Sequence, residues 1–266
     1  MRQALISDIH ANLEALTAVL ADIAMWNVQE IVCLGDIVGY GPSPVECVDL
    51  VRDKCAWTIA GNHDAALDMA VAPGFKEYAA KVIAYHKSLL KPQFFLNFAG
   101  KKRWEWITHL PTSQERDEVF YVHGSPRDHL FEYIEAADFE PPGRPSKKVE
   151  EIFAATQKLL FAGHRHRPGL ADNTAFAWHT PESMPQRGSP DTRVWKLDPA
   201  VKTAVNIGSV GQPRDGNPKS GYVIYDSEAG EVIFRRVAYD VAACRKRFIG
   251  VAALDQRLAE RLQDGN

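Results

Sequence analysis

Short apolar runs that break off into polar loops organise the first 165 residues of the chain. Residues 3–7, QALIS, predict a buried strand ending at Asp8, and Leu13, Leu16, Leu20 and Ile23 then recur at helical spacing over residues 12–25. The pattern repeats. The run EIVCLG gives way to the Gly- and Pro-rich DIVGYGPSP and then to VECVDLVRD, with Ser43 as N-cap and Pro44 at the first helical position. A third strand, AWTIA, ends at GNHD. Residues 75–110 carry Phe75, Tyr78, Val82, Tyr85, Trp104 and Trp106 in a helical segment interrupted by Pro92, with no strand. Strand character returns in EVFYV before HGSPRD, a helix covers 146–157, and the strand KLLFAG leads into HRH.

From residue 168 on, the pattern is mostly strands: LADNTAFAW, RVWKL, TAVNIG, GYVIYD and EVIFRRVAY. Residues 180–191, TPESMPQRGSPD, are too polar and Pro-rich for the core and predict an exposed hairpin loop. Asp240 caps a final helix over 241–263. Alternating strands and helices followed by a run of strands argue for an α/β fold of mixed sheets with helices outside. No internal repeat, long low-complexity stretch or linker divides residues 1–266, which predicts one domain.

Composition narrows the function classes. A net charge of −3 gives no general cationic field, so neither an extended nucleic-acid surface nor a membrane partner is expected, and an anionic substrate must be held locally. Cys33, Cys47, Cys55 and Cys244 form no C-x-x-C pair and read as reduced thiols. With an N-terminal apolar run too short for a signal peptide, the expectation is a cytoplasmic protein.

The strand ends carry the chemistry. Asp8 and His10, Asp36, Asn62 and His63, His123, and His164 with His166 each lie at or just past one of them. In open α/β sheets such loops gather at one edge, where ligands bind. Side chains two positions apart in an extended segment point the same way, so Asp8 with His10, and His164 with His166, can each grip one ion. Mixed imidazole and carboxylate donors suit Mn, Fe, Zn or Co better than Mg or Ca. One D-x-H alone has little weight, because Asp and His often brace turns. Five such motifs in order at strand ends have far more.

The series D-x-H, G-D, G-N-H-D, H-G and G-H-x-H, over residues 8–166, resembles the calcineurin-like metallophosphoesterase superfamily. The flanking GDIVGYGPSP, HGSPRD and NIGSVGQPRDGNPKSGYVIYD resemble its bacterial single-domain phosphodiesterase-type branch. The resemblance implies a four-layer αββα sandwich with two mixed sheets. It also implies two divalent metal ions, Mn first, with Fe, Zn, Ni or Co as alternatives. By resemblance Asp8, His10 and His166 hold one ion, Asn62, His123 and His164 the other, and Asp36 bridges them; His63 is the catalytic histidine. Arg165 stands where the family commonly has Thr, and GDIV replaces the G-D-R-G of the protein phosphatases.

The implied reaction is hydrolysis of a small phosphoester, a nucleotide among the candidates, by a hydroxide bridging two ions. A diester is favoured; a phosphomonoester or a dinucleoside polyphosphate would use the same site. The two oxygens of Asp36 suffice to touch both ions, and neutral Asn62 adds no charge. Asp64 either orients His63 or caps the helix that follows. Arg127, Arg165 and Arg214 are candidate phosphate ligands, and Arg127 and Arg214 equally fit salt bridges to the Asp beside each. His86, His109, His129 and His179 have no motif context. A non-catalytic metal-binding interaction scaffold is the alternative from another class, and the presence of His63 weighs against it. Segments 75–110 and 172–192 are expected to shape the pocket; the oligomeric state is left open.

Overall fold

The computed structural model describes residues 1–69, 74–93 and 97–266. In chain order the elements are β1 (Arg2–Ile6), α1 (Leu13–Ile23), β2 (Glu30–Cys33), α2 (Pro44–Lys54), β3 (Trp57–Thr58), α3 (Asn62–Ala66), α4 (Glu77–Leu90) and α5 (Phe98–Thr108). There follow β4 (Ser113–Arg116), β5 (Val119–Val122), α6 (Lys147–Ala155), β6 (Leu159–Ala162), β7 (Gly169–Asp172), β8 (Gln186–Arg187), β9 (Ser189–Lys196), β10 (Thr203–Asn206), β11 (Ser220–Asp226), β12 (Glu231–Val237), α7 (Val241–Phe248) and α8 (Gln256–Asp264). Two mixed sheets result, one of seven strands in the order β3-β2-β1-β11-β12-β9-β8 and one of five in the order β4-β5-β6-β10-β7.

Period-two alternation assigns each strand residue to a layer. Leu5, Val32, Leu34 and Val223 of the larger sheet pack against Tyr121, Leu159, Phe161 and Val205 of the smaller, forming the core between the sheets. On the other face of the larger sheet, Ala4, Ile6, Cys33 and Ile224 meet Leu16, Val19, Val48, Val51 and Ile83 of the flanking helices. On the far face of the smaller sheet, Val122, Leu160 and Ala204 meet Val149, Ile152 and Phe153 of α6. The fold is therefore the four-layer αββα arrangement. Among the described residues no helix is long and apolar enough to cross a membrane.

Several sequence expectations need correction. The final helix is two: it breaks between Phe248 and Gln256, where Gly250 takes a left-handed φ of +82°. The strand read into LADNTAFAW stops at Asp172, because its carboxylate accepts hydrogen bonds from the Thr174 and Ala175 amides and turns the chain. Within AWTIA the strand proper is Trp57–Thr58, and the flanking Ala56 and Ile59 amides donate to the β2 carbonyls of Ile31 and Cys33 at 2.8 and 3.0 Å. The segment 180–191 does form a hairpin, but Pro181 and Met184 within it are buried, and β9 already begins at Ser189. The polar SQER forms β4, unforeseen in the sequence, as an edge strand held by β5.

Candidate active site

The loops after β1, β2, β3, β5, β6 and β10 converge at one edge of the sandwich. The first two are zipped together by backbone bonds: the Asp8 amide donates to the Gly35 carbonyl, His10 to Asp36 and Ala11 to Ile37, all within 2.8–3.0 Å. The 206–212 loop closes over them, the Ser209 hydroxyl donating to the Asp8 carbonyl at 2.9 Å. Asp8, His10, Asp36, His164 and His166 all adopt left-handed backbone, with φ between 48° and 66°. For residues with a Cβ this costs about 1–2 kcal/mol each, strain that the surrounding bonds offset.

All seven expected ligands and His63 come together, buried. Asp8, His10 and His166 form one group of donor atoms, Asp36, His123 and His164 another, and His10, Asp36 and His63 a third that overlaps both through shared residues. Asn62 Oδ1 lies 3.2 Å from His123 Nε2. The rings are oriented by backbone carbonyls. Nδ1 of His10 donates to Val38, of His123 to Leu34 and of His166 to Gln212, at 3.0, 2.8 and 2.6 Å. Each bond fixes the tautomer and turns an Nε2 lone pair inward, as a metal-ligating histidine requires. His164 is reversed: Nε2 faces the Phe131 carbonyl at 3.2 Å, leaving Nδ1 as the inward nitrogen.

The carboxylates are arranged on the same plan. Asp8 Oδ2 accepts from the His164 amide at 3.0 Å, while buried Oδ1 has no hydrogen-bond partner and lies 3.0 Å from His166 Nε2. Asp36 Oδ1 accepts from the His63 amide at 2.8 Å, so only Oδ2 faces His123, His10 and His63, at 3.3, 3.7 and 4.0 Å. With Oδ1 tied to the His63 amide, Oδ2 is the oxygen of Asp36 that would be free for metal. Gly61 permits the arrangement, since a Cβ there would stand 2.1 Å from Asp36 Oδ1.

These residues fit metal. With Nδ1 protonated on His10 and His166, their Nε2 lone pairs face each other at 3.0 Å beside an unpartnered carboxylate oxygen. Only a cation turns that repulsion into attraction, and the nitrogen and oxygen donor set suits a transition metal. Burial pushes His10 and His166 well below the usual imidazole range and His164 to about 3, favouring the neutral form a ligand needs, and lowers His63 to about 4 as well. Burial pulls His123 the same way, but the adjacent Asp36 carboxylate outweighs it and lifts His123 to about 9.

His63 differs from the ligands. Its Nδ1 is buried without a partner, among the described residues no carbonyl fixes its ring, and it packs between Tyr40 and Phe75 at centroid distances of 4.5 and 4.7 Å. Of the two roles expected of it, Asp64 takes the capping one, from N3 of α3 rather than as the N-cap itself. Inside α3, its Oδ1 accepts from the Ile37 and Val38 amides and its Oδ2 from Gly61, clipping the Asp36 loop to the Asn62 helix. His86, buried, braces the same loop: Nδ1 accepts from the Gly39 amide at 3.1 Å and Nε2 donates to the Gly41 carbonyl at 2.9 Å.

Above the cluster opens a cavity of about 370 Å³ lined by Tyr40, Phe75, Tyr78, Tyr133, Arg214 and Arg261, among others. Of the three arginines nominated from sequence, only Arg214 lines it, and its guanidinium bonds the neutral Gln212 rather than Asp215. Arg127 pairs with Glu132 and Glu151, not Asp128, and Arg165 with Glu135. The 75–110 segment contributes Phe75, Lys76, Tyr78 and Ala79, whereas 172–192 contributes nothing to the lining. Tyr133, stacked on His164 at 4.3 Å, and Arg261 went unnoticed in the sequence because neither sits in a motif.

The calcineurin-like phosphoesterase superfamily domain matches residues 1–230. The chain belongs to that superfamily. It is 33% identical, over 97% of its length and 96% of the relative's, to an uncharacterized protein of Methanocaldococcus jannaschii. A metallophosphoesterase from Sphaerobacter thermophilus is similar at 33% identity, covering 100% of this chain and 99% of that one, with a TM-score of 0.81. A hypothetical protein from Pyrococcus horikoshii shares the fold at 20% identity and a TM-score of 0.73, over 100% and 98% of the two chains. This phosphoesterase therefore keeps its buried His and Asp clusters at the strand-end edge, and the family uses divalent metals in such a site.

Proposed function

We propose that the protein is a cytoplasmic phosphodiesterase working with two divalent metal ions, Mn foremost. Asp8, His10 and His166 would hold one ion, Asn62, His123 and His164 the other, and Asp36 would serve both. The observation that carries this reading is that Asp36 Oδ2 faces histidines of both groups, His10 and His123, while Oδ1 is tied to the His63 amide. Bound there, the ions supply Lewis-acid stabilisation of phosphoryl charge and a more acidic water.

The chain's own groups do the rest. Carbonyl-anchored rings keep the donors in place without reorganisation when charge develops. His63, unanchored and next to ligand Asn62, is placed to hold a proton at the leaving oxygen. Tyr40 and Phe75 pack on that ring and limit its contact with water. A cavity of about 370 Å³ with an aromatic wall has room for both organic groups of a diester.

The test uses chelator-treated protein. Adding Mn²⁺ should restore hydrolysis of bis-p-nitrophenyl phosphate, with p-nitrophenyl phosphate turned over more slowly. Absence of turnover with every divalent metal tried would sink the proposal.

A further inference from the structure

The family match ends at residue 230, but the cavity wall does not. Its outer side comes from α8, whose Leu258 and Leu262 stripe packs with Val82 of α4 and with Cys244 and Phe248 of α7. That packing leaves Arg261 at the cavity. The end of α8 is in turn fastened to the turn that follows Arg214. Gly265 has a left-handed φ of +68°, its carbonyl accepts from the Gly216 amide at 2.9 Å, and a Cβ there would meet the Asn217 backbone at 2.5 Å. Arg214 and Arg261 are thus carried by one locked unit and line the same cavity.

Among the described residues neither guanidinium has a carboxylate partner. Asp215 pairs with Arg236 and Asp255 with Arg257, while Glu260 and Asp264, on the same helix as Arg261, form no ion pair with it among the described residues. Arg214 bonds the neutral Gln212 amide oxygen at 2.7 Å and lies over the Tyr40 ring at 5.6 Å, neither of which carries a negative charge. Arg127 and Arg165, by contrast, are committed to glutamates. Lys76, also without an ion pair among the described residues, adds a third positive charge to the cavity wall. Two half-buried, unpaired guanidinium groups facing one cavity are built to take an anion bidentately.

We propose that Arg214 and Arg261 form a second anion subsite beside the metal cluster, so that the substrate is a phosphoester whose organic part carries a further phosphate. This rests on the phosphodiesterase reading above. Neither arginine is needed to place the scissile phosphate, which the metal-ligand cluster receives; their role is to select among esters.

The experiment compares two substrates, thymidine p-nitrophenyl phosphate and the same ester with a second phosphate on the remaining sugar hydroxyl, in wild type and in Arg261→Gln, Arg261→Lys, Arg214→Gln and Arg127→Gln. The wild-type kcat/KM ratio should favour the doubly phosphorylated ester by about tenfold or more, as expected for a charge-assisted bidentate contact. Arg261→Gln and Arg214→Gln should each bring the ratio down by about tenfold, Arg261→Lys should retain part of it, and Arg127→Gln should match wild type. A wild-type ratio near one, or a ratio unmoved in Arg261→Gln, overturns the subsite. Calorimetric binding of thymidine bisphosphate against thymidine monophosphate runs alongside. If no ester is hydrolysed the phosphodiesterase reading falls, yet the binding preference and its loss in Arg261→Gln still decide the subsite.

Discussion

His86 should make the fold acid-sensitive in a way that one substitution removes. It is fully buried, with both ring nitrogens bonded to the Gly39–Gly41 loop. Burial drives it from the ordinary 6.5 to about 3, because a charged imidazole would lose its hydration and could not accept the Gly39 amide. A folded-state pKa below the unfolded one means that the unfolded chain binds the proton more readily. The stability His86 contributes is therefore complete above pH ~6.5 and drains away as pH falls from there toward ~3. At pH 5, about 1.5 pH units into that window at about 1.4 kcal/mol each, the loss is about 2 kcal/mol. His86→Leu orphans the Gly39 amide and the Gly41 carbonyl, which costs about 2–4 kcal/mol at pH 8, but it cannot titrate. Urea unfolding followed by tryptophan fluorescence, in chelator to remove metal linkage, measures the gap between the two proteins. That gap should narrow by about 2 kcal/mol from pH 8 to pH 5. An equal gap at both pH values would refute the assignment of a neutral, loop-bracing His86.

Two further outcomes follow from the same geometry. Asp22 is buried under Arg235 and the Tyr222 hydroxyl, at 2.7 and 2.6 Å, so Asp22→Ala strands a guanidinium and should destabilise by about 3–5 kcal/mol, read as a lower urea midpoint; a change under 1 kcal/mol would show the network to be idle. His63→Asn should bind Mn²⁺ as wild type does, since among the described residues no carbonyl anchors that ring as a ligand, while kcat falls about 10²–10⁴-fold; lost metal binding would make His63 a ligand instead.

The site was far more legible than the fold around it. Strand ends punctuated by Asp, Asn and His are local signals, and the seven ligands and His63 assemble because each motif sits on a strand that the apolar pattern already marked. What failed depends on partners. SQER becomes a strand only because β5 offers it an edge, and the last helix breaks at Gly250, a residue that a helical apolar stripe easily hides. The fates of Arg127, Arg165 and Arg214 were undecidable from spacing, since their partners Glu132, Glu135 and Gln212 are chosen by loop geometry. The single usable oxygen of Asp36 follows from a backbone amide at His63, which no residue pattern encodes.

The central claim, a two-ion centre joined through Asp36, is tested most directly by the Mn²⁺ stoichiometry of chelator-treated protein, titrated calorimetrically while diester turnover is followed. Two ions per chain, with turnover appearing as the second site fills, is the predicted result. Saturation at one ion with full turnover, or no binding at all, would contradict it.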